Sequence, residues 1–189
     1  MHTHEIELTR IAEAMRADTS LPLIPATLVF GEGSAGARVM FIGEAPGAEE
    51  DKQGRPFVGR GGQLLRKEIR RIGWKEEEVY ITNIVKRRPP ENRDPTPEEI
   101  EAYRPYLKEQ IRALDPELIV PLGRFSMNYF LPEARISRDQ GKVFLLLGKK
   151  IYPIFHPAAA LRSPEMMRGF VNAFDRLPEA LDSKNSRER

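Results

Sequence analysis

Glu44 and Glu50 stand in the stretch GEAPGAEEDKQGRPFVG, residues 43–59, on either side of a turn stiffened by Pro46 and glycines. A carboxylate held on such a turn is a candidate for orienting a water or acting as a general acid or base. Phe57 lies later in the same stretch, between a proline and glycines, where an aromatic ring can serve as a plate for a flat ligand. The GRGG that follows offers backbone N–H groups to a phosphate, although no Gly-Lys-Ser/Thr completes a Walker loop. Asn83 carries one acceptor and two donors, enough to read an imide edge made of C=O and N–H. His156 opens HPAAALRSP, in which Leu161 and Arg162 pair an apolar wedge with a cation. Each residue taken singly also has a plain structural reading: a solvated turn, a turn-forming asparagine, core filling, a satisfied histidine.

Position is what joins them. ARVMFIG (37–43), EVYITNIV (78–85) and ELIVPLG (117–123) are short apolar runs that read as buried strands, and KVFLLLGKKIYPIFHP reads as a hairpin leading into a fourth. Between them lie amphipathic stretches with helical spacing. GGQLLRKEIRRIGW carries Leu64, Leu65, Ile69 and Ile72 on one face, with Gly73 as a C-cap. TPEE at 96–99 is a capping box that starts a helix, which Pro105 should kink or divide. Residues 5–16, GRFSMNYFL and SPEMMRGFVNAFDRL, the last helix, complete the set, whereas SLPLIPATLVFGEG reads as a proline-interrupted connector. Strands alternating with helices predict an α/β fold: a three-layer α/β/α sandwich around a central, mostly parallel four-stranded sheet. Ligands of such sheets bind outside the carboxyl ends of the strands. That is where Glu44, Asn83, GRFS and His156 fall. With Phe57 they supply a carboxylate, an edge reader, an aromatic plate and a histidine donor, a set suited to holding a planar nucleobase and breaking a bond beside it.

The 189 residues fit one domain, read as 1–182 with a polar tail at 183–189. A net charge of +2 gives a weak overall field, so nucleic-acid binding has to come from a local basic face. No apolar run is long enough to span a membrane, and the N-terminus lacks the apolar segment of a secretory signal. Cysteine is absent, which excludes disulfides and thiolate-ligated clusters. Of three histidines, His2 and His4 lie in a terminus expected to fray, so no metal site is expected.

Several stretches resemble the uracil-DNA glycosylase superfamily, and within it the thermostable family 4 enzymes of bacteria and archaea. They are VFGEG (29–33), ARVMFIGEAPGAEEDKQGRPFVGRGGQLL (37–65), YITNIVKRRPPENRDPTPEEIEAYRPYL (80–107), LIVPLGRFS (118–126) and IFHPAAALR (154–162). The resemblance implies a base-excision-repair hydrolase that flips uracil out of DNA, cleaves its N-glycosidic bond and leaves an abasic site. By motif it makes Glu44, Glu50 and His156 catalytic, with Glu44 favoured for the water or the sugar cation. It makes Gly43, Ala45, Phe57 and Asn83 the base-binding set, and Arg55, Gly59, Arg60, Leu161 and Arg162 the DNA contacts. It implies a monomer in the prokaryotic cytoplasm, acting on single- or double-stranded uracil-containing DNA of the nucleoid.

One departure is large. The family ligates a [4Fe–4S] cluster with four cysteines. Arg87 and Tyr103 stand where two of them belong, and the upstream pair falls near Arg16 and Thr19. The chain reads as a cluster-free homologue in which an Arg87–Tyr103 cation–π pair, with apolar packing around Ile24 and Leu28, replaces the metal's tie. The inserted KRRIH-type loop of the covalently trapping relatives is missing, so covalent trapping is not expected. Excision of another deaminated base, hypoxanthine or xanthine, is an alternative. So is a non-catalytic DNA-binding module, although Glu44, Asn83 and His156 together speak against it.

Overall fold

The computed structural model describes residues 2–183, so the expected polar tail lies, from residue 184 onward, outside the described residues. In chain order the elements are α1 (His2–Ala17), β1 (Glu32–Gly33), β2 (Val39–Gly43), α2 (Ala48–Gln53), α3 (Arg60–Arg71), β3 (Tyr80–Asn83), α4 (Pro97–Leu114), β4 (Leu118–Pro121), α5 (Arg124–Phe130), α6 (Ile136–Asp139), β5 (Phe144–Leu146), β6 (Lys149–Ile151), α7 (Pro157–Ala160), α8 (Pro164–Asp175) and α9 (Leu177–Asp182).

The sheet runs β1-β3-β2-β4-β6-β5. Its four inner strands are parallel, as the alternation of strands and helices predicts. The edges differ from the four-stranded expectation, because β1 and β5 add antiparallel strands at either side. β1 comes from VFGEG, whose glycines mask a strand signal, and β5 is the first arm of the expected hairpin. β2 is buried at all five residues, as a central parallel strand must be.

Successive β2 side chains point to opposite faces, and this divides the core into two layers. Val39 and Phe41 pack with Leu65 and Ile69 of α3, Phe170 and Phe174 of α8 and Leu181 of α9. Phe41 stacks on Phe174 with ring centroids 6.0 Å apart. Met40 and Ile42 pack with Ile11 and Met15 of α1 and Tyr103 and Leu107 of α4. Each such side chain taken from water contributes about 1.5–3 kcal/mol. The fold is therefore the expected α/β/α sandwich.

Three local expectations need correction. α4 is not divided at Pro105 and continues to Leu114; the Thr96/Glu99 capping box starts it as expected, with bonds of 3.2 and 2.9 Å. Burial of Tyr103, Leu107 and Leu114 outweighs the single backbone bond that proline removes. The N-terminus is helical from His2, and the His4 ring donates through Nδ1 to the Ala113 carbonyl, so His4 is docked rather than frayed. The helix at 164–175 is followed by α9, since Arg176 leaves helical register and Pro178 begins a new turn.

Candidate active site

A cavity of about 350 Å³ opens at the carboxyl ends of the parallel strands. Glu44, Phe57, Asn83, Arg60, His156 and Arg162 line it, from four separate stretches of chain.

Where β2 ends, the turn is stitched to the exit of β3: Ile84 N–H donates to Gly43 O at 2.9 Å and Val85 N–H to Glu44 O at 3.0 Å. Carboxylate and asparagine loops are thereby locked together by backbone. Gly43 has to be glycine for reasons of space. A Cβ there would stand 2.4 Å from both Asn83 Oδ1 and Phe57 Cζ.

The two candidate carboxylates have different surroundings. Glu44 is half-buried, and its carboxylate has no hydrogen-bond or ion-pair partner among the described residues. Desolvation, and after it the charge of Asp94, pushes its pKa up to about 7, against the pull of Arg124. Glu50, on α2, is committed. Its Oε1 accepts the N–H groups of Val58 (2.9 Å) and Gly59 (2.7 Å), and its Oε2 accepts that of Gly47 (3.1 Å). It ties the loop before α2 to the loop that carries Phe57.

Phe57 is buried with φ +53°, in the left-handed region that an aromatic residue rarely adopts. Its ring lies 5.9 Å from that of His156, centroid to centroid. Asn83 is 2% exposed, and its Oδ1 has no hydrogen-bond partner. An orphaned acceptor in a buried site costs about 1–3 kcal/mol unless an occupant supplies a donor.

His156 caps α7, and its Nδ1 accepts the Ala158 N–H at 3.1 Å. Nδ1 is thus the unprotonated nitrogen, and the ring's proton sits on Nε2. Desolvation brings its pKa down to about 4, so the imidazole is neutral near pH 7; the nearby charge of Glu50 opposes this and Arg162 reinforces it. Gly123, at φ +85°, gives the ring its seat, because a Cβ would come within 2.8 Å of His156 Cβ.

Of the sequence candidates, Glu44, Ala45, Glu50, Phe57, Gly59, Arg60, Asn83, His156 and Arg162 line the cavity, and Gly43 lies beneath it. Arg55 and Leu161 are not among the lining residues. The Arg55 guanidinium forms a two-pronged pair with Glu32 at 2.8 and 2.9 Å, and Leu161 ends α7, partly exposed. The sequence reading missed Asn92, which reaches the cavity from PPENRDP at φ +55° and accepts from Arg88 Nε at 2.7 Å. Its signal was an asparagine that tolerates the left-handed region inside a proline-bounded loop.

The cluster implied by the resemblance does not fit here. At the corresponding positions Tyr103 is fully buried and donates to Pro22 O at 2.7 Å, while Arg87 Nε donates to Ala26 O at 3.0 Å. Neither side chain supplies a thiolate, and no group of acids or histidines able to hold a metal exists among the described residues. The expected cation–π geometry is also absent there. Arg87 meets the Tyr103 hydroxyl at 3.5 Å through Nη1, while its Nε is bonded to the backbone carbonyl of Ala26 in the connector.

The family model described as "Uracil DNA glycosylase superfamily" matches residues 30–178. The chain is 42% identical over 168 residues to a type-4 uracil-DNA glycosylase of Thermotoga maritima, covering 86% of this chain and 88% of that protein. It is 44% identical over 163 residues to the Archaeoglobus fulgidus type-4 enzyme, covering 82% of each. It is 45% identical over 164 residues to that of Saccharolobus solfataricus, covering 82% of this chain and 76% of that protein.

Proposed function

The chain belongs to the uracil-DNA glycosylase superfamily, and from that premise we propose how its cavity divides the work of removing uracil from DNA. The protein is a uracil-DNA glycosylase, a glycosidase of base excision repair. One observation carries the assignment of the pocket: the buried, unpartnered Oδ1 of Asn83. Uracil presents N3–H to that acceptor and O4 to the amide N–H₂. Cytosine presents a lone pair and an amino group, both mismatched. An occupant lacking the donor leaves the acceptor orphaned, and sites built this way discriminate strongly.

Phe57 stacks on the flipped base. His156, neutral and protonated on Nε2, donates to O2 as the C1′–N1 bond breaks and its electron pair passes to the leaving uracil. A neutral donor is suited to a developing anion that has to depart without picking up a proton. Glu44 faces the sugar. Ionised above its raised pKa of about 7, it stabilises the oxocarbenium carbon and accepts the proton of the water that adds at C1′. Glu50, its oxygens taken by three backbone donors, serves by holding Phe57 in place. Arg60, Arg162 and Asn92, at the mouth, contact the strand beside the flipped nucleotide, with Arg55, Gly59 and Leu161 further out. As part of the same reading the protein acts as a monomer in the prokaryotic cytoplasm.

The test is alkali-sensitive scission of single-stranded, U·G and U·A oligonucleotides by wild type, Asn83→Ala and His156→Ala. Wild type should cut, and each variant should lose about 10²–10³ in rate. Equal cutting by Asn83→Ala would remove Asn83 from recognition. Scission of hypoxanthine in preference to uracil would establish the alternative substrate instead.

A further inference from the structure

Phe57 is held at φ +53°, so restraints outside the ring have to keep it there. Glu50 supplies one set, taking the N–H groups of Val58 and Gly59. The other comes from a residue that does not reach the cavity. Arg66, on α3, is 12% exposed. Its Nε donates to Phe57 O at 2.8 Å and its Nη2 to Pro56 O at 2.7 Å. The same guanidinium is fixed from behind by Glu32 (Nη2–Oε1 2.5 Å) and Glu76 (Nη1–Oε2 2.7 Å). Four consecutive residues, 56–59, are thus gripped, two by their carbonyls and two by their N–H groups.

We infer that Arg66 is a positioning residue for base recognition: its fork on the Pro56 and Phe57 carbonyls sets the height and tilt of the aromatic plate over Asn83. The inference rests on the uracil reading above. The physical reason is geometric. A planar guanidinium binds two adjacent carbonyls and two carboxylates at once, because its five N–H groups point in fixed directions. An ammonium keeps the charge, but its three donors cannot hold two carbonyls and two carboxylates at once. A plate displaced by about 1 Å can cost about 100-fold. The loss should appear in binding of the base more than in the chemical step, since neither Glu44 nor His156 touches the fork.

The experiment compares wild type, Arg66→Lys, Arg66→Ala and the triple variant Arg66→Ala/Glu32→Gln/Glu76→Gln. Four quantities are read: KM, kcat, inhibition by free uracil, and Tm. Arg66→Lys should keep Tm within a few degrees while kcat/KM falls about 10–100-fold, mostly through KM, and uracil inhibition weakens in step. Arg66→Ala should lose both stability and uracil affinity, because it frees the Pro56 and Phe57 carbonyls and leaves the half-buried Glu32 and Glu76 with only the exposed Arg55 and Arg70 as partners. The triple variant removes those charges, and should regain Tm without regaining uracil affinity. A triple variant whose excision recovers along with its Tm would reduce Arg66 to a purely structural residue and overturn the inference. Arg66→Lys indistinguishable from wild type in KM and uracil inhibition would do the same. A wild type that excises no uracil would bring down the underlying reading, so the two failures are distinguishable.

Discussion

The cavity mouth and the connector beside α4 are both built from buried polar side chains, yet they handle them in opposite ways. In the connector three such groups find partners. Tyr103 reaches Pro22 O, Arg87 reaches Ala26 O, and Tyr106 donates to Asp18 Oδ2 at 2.7 Å. At the mouth Asn83 Oδ1 has no partner, and Glu44 is desolvated with no partner for its carboxylate among the described residues. Satisfied polar groups hold segments of chain together. Unsatisfied ones are kept at a cost of stability, and one that also lines this cavity is open to a ligand. Among the described residues Asn83 alone meets both conditions, since Gln110, Ser126, Tyr129 and Gln140 carry buried unpartnered atoms away from this cavity. The same distinction separates Glu50 from Glu44, two acids six residues apart in one motif.

Replacing Glu44 should break this contrast most visibly. Glu44→Gln removes the charge while keeping the shape, and should cost about 10²–10⁴ in kcat, measured by single-turnover excision at pH 8. The same variant should melt higher than wild type at that pH. Folding raises the pKa of Glu44 from its ordinary 4.5 to about 7. The folded state therefore prefers the protonated form. The contribution of Glu44 to stability is fully present below pH 4.5 and is lost as pH rises through about 7. Above that pH glutamine spares the protein a buried charge. A Glu44→Gln protein less stable than wild type at pH 8 would place a hidden partner on the carboxylate.

The titration gives a second, smaller effect. If ionised Glu44 does the work, kcat/KM should climb about tenfold per pH unit below about 7 and level off above it. His156 stays neutral until pH approaches 4 and should add nothing to the profile between pH 5 and 8. A limb that survives in Glu44→Gln would belong to another group.

The same contrast explains what the sequence made legible. Strand ends, helix faces and the Thr96 capping box announce themselves through local pattern, so the sandwich and the placement of Glu44, Asn83 and His156 could be read. The assignment of Glu50 to bracing could not, because it depends on Val58 and Gly59 folding back eight and nine residues later. Arg66 looked like the polar side of an amphipathic helix, and only the tertiary fold shows its fork closed on two carbonyls. Arg87 and Tyr103 were paired correctly but with the wrong geometry. Sequence gives proximity in that case, but not the bond from Arg87 Nε to the Ala26 carbonyl.

The smallest expected effect sharpens the connector side of the comparison. Tyr103→Phe deletes one hydroxyl and leaves Pro22 O unpaired, which should destabilise by about 1–2 kcal/mol in denaturant melts. Arg87→Ala should cost a similar amount by freeing Ala26 O and exposing the connector. The two are nearly independent, because their mutual contact is the long one, 3.5 Å, while each has its own shorter bond to the connector. A double-mutant cycle should therefore give a coupling below about 0.5 kcal/mol. Uracil excision per folded molecule should be unchanged in all three variants, since neither residue lines the cavity. A large coupling would mean that the pair, rather than two separate ties, holds the connector down. A loss of excision without loss of folded protein would mean that the connector reaches the site through the loop from Arg88 to Asp94, which carries Asn92 to the mouth and brings the charge of Asp94 to bear on Glu44.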